Sequence, residues 1–195
     1  MTTTTKTKHA EAEPITGQRS RESQAFGTLT RYPLGLTDET RRIAVEGLNQ
    51  LLVESIVLRD MYKKHHWQVS GPTFYVLHQL FDRHANEQSE LIDALAERVQ
   101  MLGGVAVALA GDVSAMSKMA PARRGREEVP VQLSRLLESH EHILIQARAL
   151  AHEVARLGDD GTNDVLVSEI VRTHERQVWF VSEHLVDTPL VHARD

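Results

Sequence analysis

His66, His78, Asp82, Asp93 and Glu97 are the residues of this chain best suited to chemistry. Together they offer two imidazoles and three carboxylates. Hard carboxylate oxygens with imidazole nitrogens suit Fe(II), Mn(II) or Zn(II) rather than Cu(I). Carboxylate charge also accommodates the harder Fe(III). Taken singly, each of these side chains is an ordinary polar group on a helix surface; the joint spacing is what carries information. His78 and Asp82 are four residues apart, as are Asp93 and Glu97. On a helical wheel with His78 at zero, Asp82 falls at about 40°, Asp93 at about 60° and Glu97 at about 100°. The apolar residues Phe81, Leu91, Ile92, Leu95, Val99 and Leu102, with Gln88, occupy a separate arc at roughly 220–320°. All four candidates on this helix therefore share one face beside the core stripe.

Axial distance prevents them from meeting on a single helix. Asp82 and Asp93 are separated by roughly 16 Å of helical rise, whereas metal–ligand bonds are about 2.0–2.5 Å. A second copy of the helix, packed antiparallel across a two-fold axis centred near Glu87 and Gln88, removes the conflict. It sets His78 and Asp82 of one chain opposite Asp93 and Glu97 of the other, and an isologous dimer then holds two identical sites. His66, at the end of the preceding helix, joins His78 from the same chain. The spacing predicts an intersubunit redox-metal site.

Four long helices must position these groups. Prolines at 33, 72, 121, 130 and 189 separate long stretches with apolar residues at helical spacing. The first helix is expected over about 38–66, with Thr37 as N-cap and Asp38 and Glu39 at the positive end of its dipole. Its core stripe reads Ala44, Leu48, Leu51, Leu52, Ser55 and Arg59, flanked by Ile56 and Leu58. The second spans about 73–102 and stops at Gly103-Gly104. A short helix is expected near 112–118 in the long connection, a third long helix over about 131–157, and a fourth from about 163, capped by Thr162, to about 186. The expected fold is all-α: a four-helix bundle over 36–187 with a short helix in the connection between the second and third helices. A polar, flexible N-terminal tail is expected over 1–35 and a C-terminal tail over 188–195.

Composition narrows the function classes. In 195 residues, hydrophobic side chains make up 41%, enough for one sizeable core, while aromatics are only 5%. The absence of cysteine removes disulfides, thiolate metal sites and cysteine nucleophiles. A net charge of −5 is not that of a generally basic nucleic-acid binder. The N-terminal residues show no secretory h-region, and no apolar run reaches membrane-spanning length, so a cytoplasmic protein is expected. Intrachain di-iron bundles use Glu-x-x-His. That motif is absent here, as are H-E-x-x-H and H-x-x-x-H.

Residues 60–82, D-M-Y-K-K-H-H-W-Q-V-S-G-P-T-F-Y-V-L-H-Q-L-F-D, and 92–104, I-D-A-L-A-E-R-V-Q-M-L-G-G, resemble the Dps family of small ferritin-like proteins. The family's ferroxidase pattern has a His just before a Trp, a His 12 residues later, an Asp 4 later, an Asp 11 later and a Glu 4 later. His66, His78, Asp82, Asp93 and Glu97 meet every step. The resemblance implies a hollow homododecamer built from two-fold dimers. It further implies oxidation of iron from Fe(II) to Fe(III), preferably with hydrogen peroxide, and storage of ferric mineral with protection against oxidative stress. Zinc at the same ligands is a compatible alternative. Trp67 matches a family tryptophan beside the site, and Asp164 and Asp160 fall where family members line a three-fold pore. DNA compaction in the family often uses lysine-rich tails. Here Lys6, Lys8, Arg19 and Arg21 face three glutamates, and Arg123, Arg124 and Arg126 form a second small basic patch. A mainly nucleoid-associated, DNA-compacting role is the alternative reading.

Overall fold

The computed structural model describes residues 16–17 and 22–186. Its elements are α1 (Asp38–Gln68), α2 (Phe74–Met101), α3 (Ala110–Met116), α4 (Val129–Arg156), α5 (Asp160–Asp164) and α6 (Arg172–Ser182), with a π-helical segment, Val165–Val171, joining α5 to α6. The last three run on without a break, so the chain builds four long rods and one short crossover helix. No strand occurs among the described residues. This is the all-α ferritin-like bundle expected from the sequence.

Local chemistry explains the boundaries. Thr37 Oγ1 accepts the Thr40 amide at 3.0 Å, with Asp38 and Glu39 in the first turn of α1. Gly103 follows α2 with φ +83°, the left-handed region that glycine tolerates best. A Cβ at Gly103 would also collide with the Thr30 carbonyl, because Thr30 N donates to Gly103 O at 2.8 Å. The last rod starts earlier than its apolar pattern suggests. Asp159, not Thr162, is the N-cap; its carboxylate accepts the Thr162 amide at 3.0 Å and the Thr162 hydroxyl at 2.6 Å.

The core runs along the bundle axis through Leu48, Leu52, Leu58, Phe81, Leu95, Leu136, Ile143 and Ile170, all fully buried. Arg59 does not belong to it. Its long side chain swings outward to pair with Asp60 at 2.8 Å, leaving Leu58 to face inward. Glu54 lies at a buried position instead, accepting the Lys118 amide at 2.8 Å, Ser117 Oγ at 2.7 Å and Gln50 Nε2 at 2.7 Å. These bonds pin the long connection to α1. Part of the stretch expected to be a free tail is likewise anchored. Gln24 Nε2 donates to Gly103 O at 2.8 Å, and the buried Arg41 guanidinium donates to Thr30 O and Leu102 O, at 2.8 and 2.9 Å. Arg41 thereby satisfies a carbonyl that the end of α2 leaves without an intrahelical partner.

Candidate metal half-site

The C-terminal turn of α1 and the N-terminal turns of α2 bring His66, His78 and Asp82 together. The two imidazoles stack with ring centroids 3.7 Å apart. Each ring bonds to the other residue's backbone: His66 Nδ1 to His78 O and His78 Nδ1 to His66 O, both at 2.8 Å. A carbonyl can only accept, so both Nδ1 atoms carry the proton. Each Nε2 is thereby left without a hydrogen-bond partner among the described residues, and the two bonds fix the orientation of both rings. The His66 carbonyl lies in the last turn of α1, where intrahelical partners run out. The same bond therefore finishes the helix and sets the tautomer.

Asp82 completes this group. Its Oδ1 lies 4.0 Å from His66 Nε2 and 2.6 Å from Lys63 Nζ. The hydrogen bond from Lys63 holds the Asp82 carboxyl below the usual carboxylate range. Lys63 was not singled out in the sequence. Its place one turn before the His66-Trp67 pair was the available signal, but its partner comes from the next helix. Trp67 is 70% exposed, with Lys63 Nζ 6.0 Å from its ring centroid.

Asp93 and Glu97 stand farther along α2, both exposed, with no side-chain hydrogen bond or ion pair among the described residues. The chain alone does not bring them to His66, His78 and Asp82. Asp160 and Asp164 are exposed on the first turns of the last rod, and Ser168 Oγ donates to Asp164 Oδ1 at 2.7 Å. The neighbouring Asp159 is buried and paired to Arg98 at 2.6 Å. Arg123, Arg124 and Arg126 lie exposed on the loop before α4. Lys6, Lys8, Arg19 and Arg21 fall outside the described residues, as does the 188–195 tail.

A second polar group, unread in the sequence, fills the bundle centre. Tyr62 of α1, His84 and Gln88 of α2, His140 of α4, and His174 and Gln177 of α6 are all buried. Tyr62 Oη lies 2.6 Å from His140 Nε2 and 3.1 Å from His84 Nδ1. His140 and His174 meet through their Nδ1 atoms at 2.9 Å. Burial pushes His84 down to about 4 and His174 down to about 3, and moves His140 well below the ordinary imidazole value, so all three are neutral. The signal was present: His140 lies in phase with Leu136, Ile143 and Ala147, and His174 with Ile170 and Val181.

The comparisons agree with this architecture. The ferritin-like domain family matches residues 45–191. A DpsC structure from Streptomyces coelicolor is 53% identical, with a TM-score of 0.86 over 88% of this chain and 100% of that one. An archaeal Dps homologue from Halobacterium salinarum superposes with a TM-score of 0.84 at 26% identity, covering 89% of this chain and 96% of that one. A nutrient stress-induced DNA-binding protein from Synechococcus is 32% identical, over 78% of this chain and 87% of its own length. The chain belongs to the Dps family of ferritin-like proteins.

Proposed function

We propose that two copies of the chain pair across a two-fold axis, so that His66, His78 and Asp82 of one copy face Asp93 and Glu97 of the other, and that this centre oxidises Fe(II). Hydrogen peroxide is the preferred oxidant, and the ferric product is stored inside a homododecameric shell, limiting oxidative stress in the cytoplasm. The observation that carries this reading is the reciprocal histidine lock. It leaves two Nε2 lone pairs beside an ionised carboxylate, while two unpaired carboxylates wait on the same helix a dimer's reach away. Iron is the substrate here. His66 and His78 bind it, Asp82, Asp93 and Glu97 balance its charge as it becomes Fe(III), and Lys63 releases Asp82 when the cation arrives. The exposed Asp160 and Asp164 serve as its entry path, and Trp67 stands next to the reacting group as a redox neighbour.

The test is an anaerobic Fe(II) titration followed by peroxide, monitored by ferric absorbance, with the shell weighed by native mass spectrometry. His66→Ala with His78→Ala should assemble normally and lose rapid oxidation. An unchanged rate would defeat the assignment.

The Synechococcus relative, named for DNA binding, favours a second reading in which the protein also holds DNA. The exposed Arg123, Arg124 and Arg126, repeated around a shell, would gain strength by avidity and be strongly salt-dependent. Gel retardation across a salt series decides it: absence of a shift at low salt removes DNA as a partner.

A further inference from the structure

The buried polar group has a direction, and the carboxylate at one end sets it. Glu87 accepts from Arg83 Nε at 3.0 Å and from Gln177 Nε2 at 2.8 Å, which fixes the Gln177 amide. Gln177 Oε1 then accepts from Gln88 Nε2 at 2.9 Å, which fixes the Gln88 amide in turn. Gln88 Nε2 also faces His174 Nε2 at 3.3 Å, so that nitrogen is the acceptor and His174 carries its proton on Nδ1. His174 Nδ1–H donates to His140 Nδ1, and the proton of His140 is therefore on Nε2. His140 Nε2–H donates to Tyr62 Oη, and the Tyr62 hydroxyl is left to donate to His84 Nδ1. A buried phenol thus accepts one hydrogen bond and donates another to a neutral imidazole. Such a phenol can lose an electron while its proton shifts along a bond already made. Tyr62 is also one helical turn, roughly 6 Å of rise, from His66 on the same helix.

We propose that Tyr62 is a redox-active residue that supplies the second electron when peroxide meets a site holding a single Fe(II). This rests on the iron-oxidising reading above. Peroxide takes one electron from Fe(II) and one from Tyr62. Its O–O bond breaks, and two solvent protons complete two waters. The phenolic proton passes to His84 Nδ1, leaving Fe(III) and a neutral tyrosyl radical. A later Fe(II) reduces the radical to the phenol, the proton returns from His84, and a second Fe(III) is formed. Peroxide is thereby reduced by two electrons even when iron arrives one ion at a time, and no hydroxyl radical is released. Tyr32 and Tyr75, 44% and 70% exposed, make no comparable bonds to histidine among the described residues.

The experiment uses the assembled protein loaded anaerobically with one Fe(II) per site or less, mixed with peroxide and freeze-quenched for electron paramagnetic resonance. The wild type should show a tyrosyl radical that decays on further Fe(II). Tyr62→Phe should lose it and release several-fold more spin-trapped hydroxyl radical, with oxidation at two Fe(II) per site little changed. The Tyr32→Phe, Tyr75→Phe double variant, which keeps only Tyr62, should retain the signal and decides the matter if Tyr62→Phe folds poorly. Iron oxidation without a tyrosyl radical, or loss of the radical in the double variant, overturns the role of Tyr62 and leaves the proposed function standing. Absence of peroxide-driven iron oxidation in the wild type overturns both.

Discussion

Two groups of histidines lie near one another, one held by α1 and α2 and the other reaching from α2 across to α4 and α6, and they are built on opposite principles. In the half-site, His66 and His78 spend one nitrogen each on a backbone carbonyl and leave the other free. In the bundle centre, His140 and His174 spend both nitrogens on neighbouring groups. The first group is electrostatically polarised and partly solvated. The second is buried, with neutral imidazoles linked one to the next through Tyr62 and each other. The contrast teaches that burial alone does not mark a metal site. What sets the outer group apart is a pair of imidazole nitrogens without hydrogen-bond partners among the described residues, next to a carboxylate that Lys63 holds ionised.

Substitutions should separate the two groups. The largest effect is expected for His66→Ala with His78→Ala. Iron oxidation at limiting Fe(II) should fall by at least about 100-fold, since even indirect supports of metal ligands are worth about 10–100-fold, while the melting temperature moves little. Stopped-flow absorbance and calorimetry on one preparation check both halves of that statement. The mirror experiment is His140→Leu, which strands the Tyr62 and His174 partners. It should cost about 1–3 kcal/mol of stability, read as a shift in denaturant midpoint, and leave Fe(II) binding at the half-site within a small factor of wild type.

Acid should also act on the inner group first. His84, His140 and His174 are depressed by burial, so the unfolded chain binds protons that the folded chain refuses. For His84 and His174 the stabilising contribution is complete above the ordinary imidazole value near 6.5 and is lost as pH falls toward about 4 and about 3, and His140 adds to the loss in the same direction. Each costs about 1.4 kcal/mol per pH unit over that window. Melting curves from pH 7 to 4 should show this slope, and it should flatten in His140→Leu. An equal slope in both proteins would locate the acid sensitivity elsewhere.

The smallest effect is expected at Lys63. Its hydrogen bond holds the Asp82 carboxyl low, so Lys63→Met should let that carboxyl rise toward its ordinary range. Fe(II) binding should then fail at a higher pH than in wild type. Asp82 is partly exposed and the pair is screened, so stability should change by less than about 1 kcal/mol. A binding-versus-pH profile for the two proteins reads this directly.

Much of this was legible in the sequence, for reasons that also explain the gaps. Proline punctuation and apolar spacing gave the four rods, and Thr37 caps α1 as its chemistry requires. Helical rise alone separated His78 and Asp82 from Asp93 and Glu97. Arg59 sits in phase with core residues, but phase does not say whether a long cationic side chain stays inward. The start of the last rod was obscured because Gly158-Asp159-Asp160-Gly161-Thr162 offers several capping side chains in succession. Only the bond from Asp159 to Thr162, and its pairing with Arg98, selects among them. The strap over 24–30 read as tail because its anchors are the Gly103 carbonyl, far away in sequence, and the buried Arg41 on the next helix. His84, His140 and His174 were passed over because histidine is polar on a wheel, although their apolar neighbours were in phase.

The central claim is that the centre is shared between copies, and complementation tests it most directly. One chain carries His66→Ala and His78→Ala; the other carries Asp93→Ala and Glu97→Ala. Each alone should be inactive. Co-assembled at equal amounts, half the dimers are mixed, and each mixed dimer regains one intact site of its two, so about a quarter of wild-type iron oxidation should return. No recovery in shells shown by native mass spectrometry to contain both chains would contradict a shared site.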